Sequence, residues 1–261
     1  MELTKAIGAV VLGLLLAGCG GSDGGIVDQQ TPRVRLFNAV DGESTVFATF
    51  QDANLNNLGN SPNAAYASAT ADTLIANTTA TATIVGSSGP LVTTAPSLYR
   101  ENSFYTLYAL GGAFQGYRGL VVADSQLVSP GATFGVRAVQ LSTKNASVDI
   151  YVAPGIAQAA SSNLVFSTLA YGTVTSSGNT AQAVDVNGYV LSPINGDSSY
   201  TIYVTAHGSL TPIATAAATL SQGSYNTVVV YDSPAGAATP TSVLVLGDQR
   251  ITPQVRRKPN P

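Results

Sequence analysis

Charge is what this chain has least of. Asp, Glu, Lys and Arg make up 10% of its 261 residues, against about 25% in average usage. Eleven basic residues stand against fourteen acidic ones, so there is no basic footprint to neutralise phosphates, and nucleic acid is not an expected partner. A single cysteine excludes a disulfide framework. A single histidine, His207, leaves a His-based zinc site without a second ligand. Lysine occurs only at positions 5, 144 and 258, never after glycine, so a Walker loop is absent. Tryptophan is missing, which weakens the usual aromatic platform for sugars. Disorder is excluded in turn by 45% hydrophobic residues, ample material for cores.

What is present begins with the N-terminus. One Lys5 precedes an apolar run from Ala6 to Ala17. A spanning helix needs about 20 residues, so the run has the length and layout of a secretory signal, residues 1–18. It ends in Leu16-Ala17-Gly18-Cys19, which resembles the lipobox of bacterial lipoproteins, and the only cysteine falls where that motif needs it. The resemblance implies cleavage between Gly18 and Cys19, with lipidation of Cys19 by a diacylglycerol. Each buried CH₂ is worth about 0.8 kcal/mol, so two or more long chains hold a protein stably on a bilayer. Gly20, rather than Asp, follows the cysteine, which implies sorting to the outer membrane of a Gram-negative cell. The remainder of 19–32 is Gly- and Ser-rich and reads as a flexible tether. Its Gly20-x-Ser22-x-Gly24 match lacks the strand-to-helix setting of a nucleophile elbow.

From Arg33 onward the chain is a series of short β-branched and aromatic runs separated by Gly, Asn, Ser and Pro. This predicts an all-β fold. The runs recur in order. Val34-Arg35 matches Val136-Arg137, and Ser103-Phe104-Tyr105-Thr106-Leu107 resembles Ser224-Tyr225-Asn226-Thr227-Val228. Leu120 to Asp124 likewise resembles Leu244 to Asp248. A duplication follows, with repeats at 33–128 and 129–250 and a disordered tail at 251–261. Each copy has the size of an immunoglobulin-like antiparallel β-sandwich and is expected to fold and unfold by itself. Alternation points Val148, Ile150 and Val152 inward and Asp149 and Tyr151 outward, while Val243-Leu244-Val245-Leu246 reads as covered on both faces. A short helix is expected at Ile156–Ser161.

Chemistry is harder to find. His207 before Gly208 reads as a histidine in a surface turn. Asp185-Val186-Asn187-Gly188 and Asn195-Gly196-Asp197 read as turns rather than halves of a calcium loop. Gly111-Gly112-Ala113-Phe114-Gln115-Gly116 reads as a wide turn, and Arg256-Arg257-Lys258 as a solvated cationic tail. No cofactor or metal is expected. The twelve tyrosines are mostly packing residues, with a Tyr-lined ligand cleft as the alternative.

Val148-Asp149-Ile150-Tyr151-Val152 with Ala153-Pro154-Gly155, then the Gly223 to Val230 strand, then an apolar strand ending at Asp248, resembles the bacterial DUF4397 family. That family occurs in secreted and lipid-anchored proteins, often as tandem copies. The resemblance implies fold and location but carries no site, because the family's His-x-Ser-Pro-Asp-like stretch is absent at Asn38–Ser44 and at Gln140–Ala146. The expectation is therefore a non-enzymatic envelope lipoprotein, joined to the membrane by its N-terminal lipid, with two modules for structural or interaction roles. A glycan or small-ligand receptor is the alternative. A protein or glycan partner is left unnamed.

Overall fold

The computed structural model describes residues 31–124, 133–155, 160–193 and 198–248. The signal, Cys19 and most of the tether lie outside these residues, as do most of the expected helix at Ile156–Ser161, the Asn195–Asp197 turn and the tail. Ser161–Asn163 is a single 3₁₀ turn.

The protein is all-β and builds two sandwiches in tandem, immunoglobulin-like in size and layering. The first comprises β1 (Arg33–Val40), β2 (Thr45–Gln51), β3 (Asn57–Asn60), β4 (Ala64–Ala65), β5 (Thr73–Leu74), β6 (Thr79–Gly86), β7 (Gly89–Thr93), β8 (Ser97–Leu98), β9 (Phe104–Gly112) and β10 (Gly116–Asp124). Its sheets run β10-β9-β1-β5 and β3-β2-β6-β7, with β4 on β2 and β8 on β6. The second comprises β11 (Thr133–Gln140), β12 (Ser147–Pro154), β13 (Leu164–Ala170), β14 (Thr173–Val174), β15 (Val190–Pro193), β16 (Ser198–Ala206), β17 (Pro212–Leu220), β18 (Tyr225–Asp232) and β19 (Thr241–Gly247). Its sheets run β14-β11-β18-β19, with β15 on β11, and β13-β12-β16-β17. The order in the two sandwiches is the same. Pairing departs from purely antiparallel at one place in each, where the first strand lies parallel to the second-last: β1 on β9 and β11 on β18.

Each sandwich closes over its own core. Leu36, Phe50, Ile84 and Leu107 fill the first; Phe134, Ile150, Phe166 and Val204 fill the second. A third apolar cluster joins Phe37, Tyr108 and Leu110 of the first to Val139, Leu141 and Val229 of the second. The sheets holding β1 and β11 therefore pack on each other, and the body has four sheet layers. This is why β9 is buried at all nine positions and β1, β11 and β18 nearly so: their two faces serve two cores. The apolar β19 behaves as its sequence suggests. Val243 and Val245 pack on the second core, and Leu244 and Leu246 on the seam.

The two sandwiches point the same way. Arg35 on β1 meets Gly247, beside the start of β18, while Phe37 further along β1 meets Tyr231 near the end of β18, ring centroids 6.2 Å apart. The chain enters the first sandwich at Arg33 and leaves the second at Asp248, both at one end. The turns after β1, β6, β9, β11, β16 and β18 gather at the other.

Candidate functional site: a reciprocal ion-pair seam

The scarce charges converge on the seam between the sandwiches. Arg35 and Arg137 occupy the same position on β1 and β11, on the face turned away from each module's own core. Thr106 and Thr227 sit beside them on the parallel partners β9 and β18. Asp124 and Asp248 end β10 and follow β19. All six lie in the segments that match between the repeats.

Their contacts cross over. Arg35 Nε donates to Thr106 Oγ1 (2.8 Å), Nη1 to the Gly247 carbonyl (2.8 Å) and Nη2 to Asp248 of the other sandwich. Arg137 does the converse: Nε to Thr227 Oγ1 (2.7 Å), Nη1 to the Ala123 carbonyl (2.6 Å) and Nη2 to Asp124. Each threonine passes its own proton to its own module's aspartate, Thr106 to Asp124 at 2.8 Å and Thr227 to Asp248 at 2.6 Å. Arg35 Nη2 also lies 3.9 Å from Asp124. The contacts repeat under an exchange of the two modules, as a pseudo-two-fold axis along the strands requires. Tyr189 breaks the symmetry: its hydroxyl donates to Asp248 (2.8 Å), and the Arg137 guanidinium stacks over its ring at 4.5 Å.

Both arginines and both aspartates are buried. Burial works against the charge on each arginine, but Asp124 foremost, with Asp248, outweighs it and raises both above the ordinary guanidinium value. Burial also raises Asp248, against the pull of Arg137. Tyr108 adjoins the group. Burial pushes its phenol up to about 12, and its hydroxyl has no hydrogen-bond partner among the described residues. Two positive and two negative charges balance in a dry seam and fix the register of one sandwich on the other.

A second polar cluster sits at the far end of the second sandwich. His207 occupies the β16–β17 turn, as its neighbour Gly208 (φ +79°) suggests, and its side chain is 50% exposed. Its Nδ1 lies 2.9 Å from Asp149 Oδ1 and 3.4 Å from Thr168 Oγ1. Asp149 also accepts the Gly208 amide (2.9 Å) and the Thr168 amide (2.8 Å). The alternation that points Asp149 and Tyr151 outward is corrected here, since both are 4% exposed. The His207 turn and an irregularity in β13, where Thr168 has φ +55°, fold over Asp149 and supply its donors. Burial alone would raise the Asp149 carboxyl; the Gly208 amide, His207 and the Thr168 amide more than offset it and hold the carboxyl below its ordinary range. A hydrolytic triad needs a hydroxyl at the imidazole nitrogen that faces away from the acid. Here the hydroxyl of Thr168 shares the acid's side.

Other expected features fall as follows. Asp185 caps the Asp185–Gly188 turn, accepting the amides of Asn187 (2.8 Å) and Tyr189 (2.9 Å). Phe114 stands 98% exposed at the tip of the β9–β10 turn. All twelve tyrosines lie among the described residues; six are buried and six are partly exposed. The described residues hold no group of three or more His, Cys, Asp or Glu that could bind a metal. This ion-pair latch between the modules is not legible in the sequence, because repeat matching marks equivalent residues without saying which module each one reaches.

No family model matches the chain, and no curated protein matches it. Among solved structures it is similar to a Bacteroides fragilis NCTC 9343 protein described provisionally as a cell adhesion protein, at 10% identity, over 78% of this chain and 84% of that one, with a TM-score of 0.20.

Proposed function

We propose that the protein is a non-enzymatic lipoprotein of the bacterial envelope, held at the outer membrane through acylated Cys19, with its two sandwiches displayed as one rigid structural or interaction body. The observation that carries the reading is the reciprocal Arg35–Asp248 and Arg137–Asp124 seam. Four of the chain's few charges are committed to locking module to module, which makes one four-layered body rather than two hinged domains. The chain enters this body at Arg33, so a leash before it leaves the six turns, with Phe114 among them, at the membrane-distal end.

Two further observations support it over its rivals. A receptor that stacks sugars on tyrosine needs broadly exposed rings, whereas six of the twelve are buried and the other six are only partly exposed. A hydrolase needs a hydroxyl at the outward nitrogen of His207, and that nitrogen has no hydrogen-bond partner among the described residues. We also read the second sandwich as a divergent DUF4397-like module, on the Val148–Gly155 and Gly223–Val230 segments. The test is detergent phase partitioning of the full chain expressed in a Gram-negative host, with mass spectrometry of the mature N-terminal peptide. A diacylglycerol on Cys19 and an outer-membrane fraction are expected. An unmodified Cys19 in a water-soluble protein would refute the anchor.

A further inference from the structure

We propose that the open lateral edge of the second sandwich, formed by β17 and β19, is a self-association surface that pairs with the same edge of a second copy of this chain. An exposed sheet edge is a row of unpaired amides and carbonyls, and proteins that stay monomeric blunt their edges with charge, proline, bulges or brevity. Most described edges here are blunted. β5 and β14 are two residues long. β3 and β13 have shifted register against their neighbours. β7 carries Pro90 beside a register shift, and β10 carries the exposed Arg118. The two exceptions lie on the same side of the second sandwich. β17 reads PIATAAATL over nine residues and β19 reads TSVLVLG over seven, without one charge between them. Proline occurs only at the first residue of β17, where its one register shift against β16 also falls (Thr205 opposite Pro212), so the regular, unblunted stretch of this strand is Ala214–Leu220. A cleft of about 280 Å³ runs between them, with Ile213, Thr215, Thr241 and Val243 in its walls.

The backbone of β19 shows what the edge offers. Asp248 N donates to Tyr225 O at 3.0 Å, which sets the ladder phase. Residues 242, 244 and 246 thus face β18, and Val243, Val245 and Gly247 turn their amides and carbonyls outward. The Gly247 carbonyl is taken by Arg35. Among the described residues the pair at Val243 and Val245 remains for a partner, and it is symmetric about Leu244. An antiparallel copy of β19 centred on Leu244 would exchange about four backbone hydrogen bonds there. A two-fold axis normal to the layers maps both sheets onto themselves, so the same rotation brings β17 to its own copy. Such an interface is isologous, and an uncharged strand meets itself without the repulsion that would oppose a charged one.

Antiparallel pairing has a consequence that rests on the anchor proposed above. It sets the two Arg33 entries at opposite ends, so anchored copies meet from facing membranes rather than side by side in one.

The test is the mass of the full chain in detergent by analytical ultracentrifugation. Wild type is expected at twice the chain mass. Val245→Pro removes an outward amide, which an edge strand tolerates, and trims one partly buried side chain at the rim of the second core; it is expected at the chain mass with unchanged circular dichroism. Leu244→Cys gives an independent reading. Opposed residues of a non-hydrogen-bonded antiparallel pair have Cα atoms about 4.5 Å apart, within disulfide reach. Mild oxidation should therefore yield a covalent dimer absent from wild type, and this decides the matter should the proline variant fail to fold. Acylated wild type should cluster vesicles and the proline variant should not, with flotation of both confirming that anchoring is intact. A wild type at the chain mass, a dimer indifferent to Val245→Pro in a folded protein, or no Leu244→Cys cross-link would overturn the proposal.

Discussion

Replacing Arg137 with methionine removes a fully buried charge from the seam. Its side chain is 0% exposed, and it donates from Nε to Thr227, from Nη1 to the Ala123 carbonyl and from Nη2 to Asp124. Methionine fills much of the volume and makes none of these bonds. Asp124 keeps the Thr106 hydroxyl and has Arg35 Nη2 at 3.9 Å, a longer approach than the Arg137 contact it loses. Removing one member of a buried pair costs about 3–5 kcal/mol, because the survivor stays charged in a dry place. For a folded body of this size, each kcal/mol moves Tm by about 2–4 °C, so the variant should melt roughly 6–20 °C lower. Asp124→Leu in the same chain removes the stranded carboxylate. The double variant should be more stable than the sum of the single losses predicts by about 0.5–3 kcal/mol. Urea unfolding followed by far-UV circular dichroism and by tyrosine fluorescence gives the numbers. A loss below about 1 kcal/mol for Arg137→Met, or strict additivity in the double variant, would show that the latch contributes little.

Wild type should unfold in one transition with coincident probes, where the sequence alone suggests two, because parting the sandwiches uncovers both the third apolar cluster and the four buried charges; two separated calorimetric peaks would contradict this. Asp149→Ala should cost about 1–3 kcal/mol at neutral pH, since it strands the Gly208 and Thr168 amides, whereas His207→Ala should cost no more than about 0.5–1 kcal/mol as a half-exposed pair. The Asp149 carboxyl is depressed in the folded state, so its contribution is complete above the ordinary carboxylate value of about 3.9. That contribution disappears as pH falls through the lower folded value, and acid titration should bring wild type and Asp149→Ala together. A Cβ at Gly135 would run into the Tyr225 ring, so Gly135→Val should lose about 1–3 kcal/mol by overpacking, measurable in the same urea series. Cys19→Ser should move the full chain from the detergent phase to the aqueous phase; retention like wild type would exclude the lipid anchor.

Much of this fold was legible in the sequence because a strand's period of two and a repeat's spacing are local properties. The same shift of 102 that relates Val34-Arg35 to Val136-Arg137 also relates Arg33 to Gly135, and the structure shows these two in identical register, Arg33 opposite Phe104 and Gly135 opposite Tyr225. The environments then diverge: Arg33 stacks on Phe104 at 5.7 Å, while Gly135 leaves room for Tyr225 to lie against it and meet Tyr189 edge-on at 4.8 Å. What alternation could not deliver was the identity of the medium on the second face. Arg35, Phe37 and Arg137 lie on faces that a single sandwich would give to water, and in one copy such a pattern is that of an ordinary half-exposed strand. Only docking of the second sandwich turns that face into a core, and a charge there must then find its opposite. Asp149 escaped for a related reason, because its cover comes from a turn and a strand irregularity distant in sequence. In both places a charged residue at a strand position, which marks a solvent face by rule, marks a buried contact instead. Arg118 on β10 keeps the ordinary solvent-face reading, so it is the second sandwich, or a covering turn, that turns a strand charge into a buried contact at Arg35, Arg137 and Asp149.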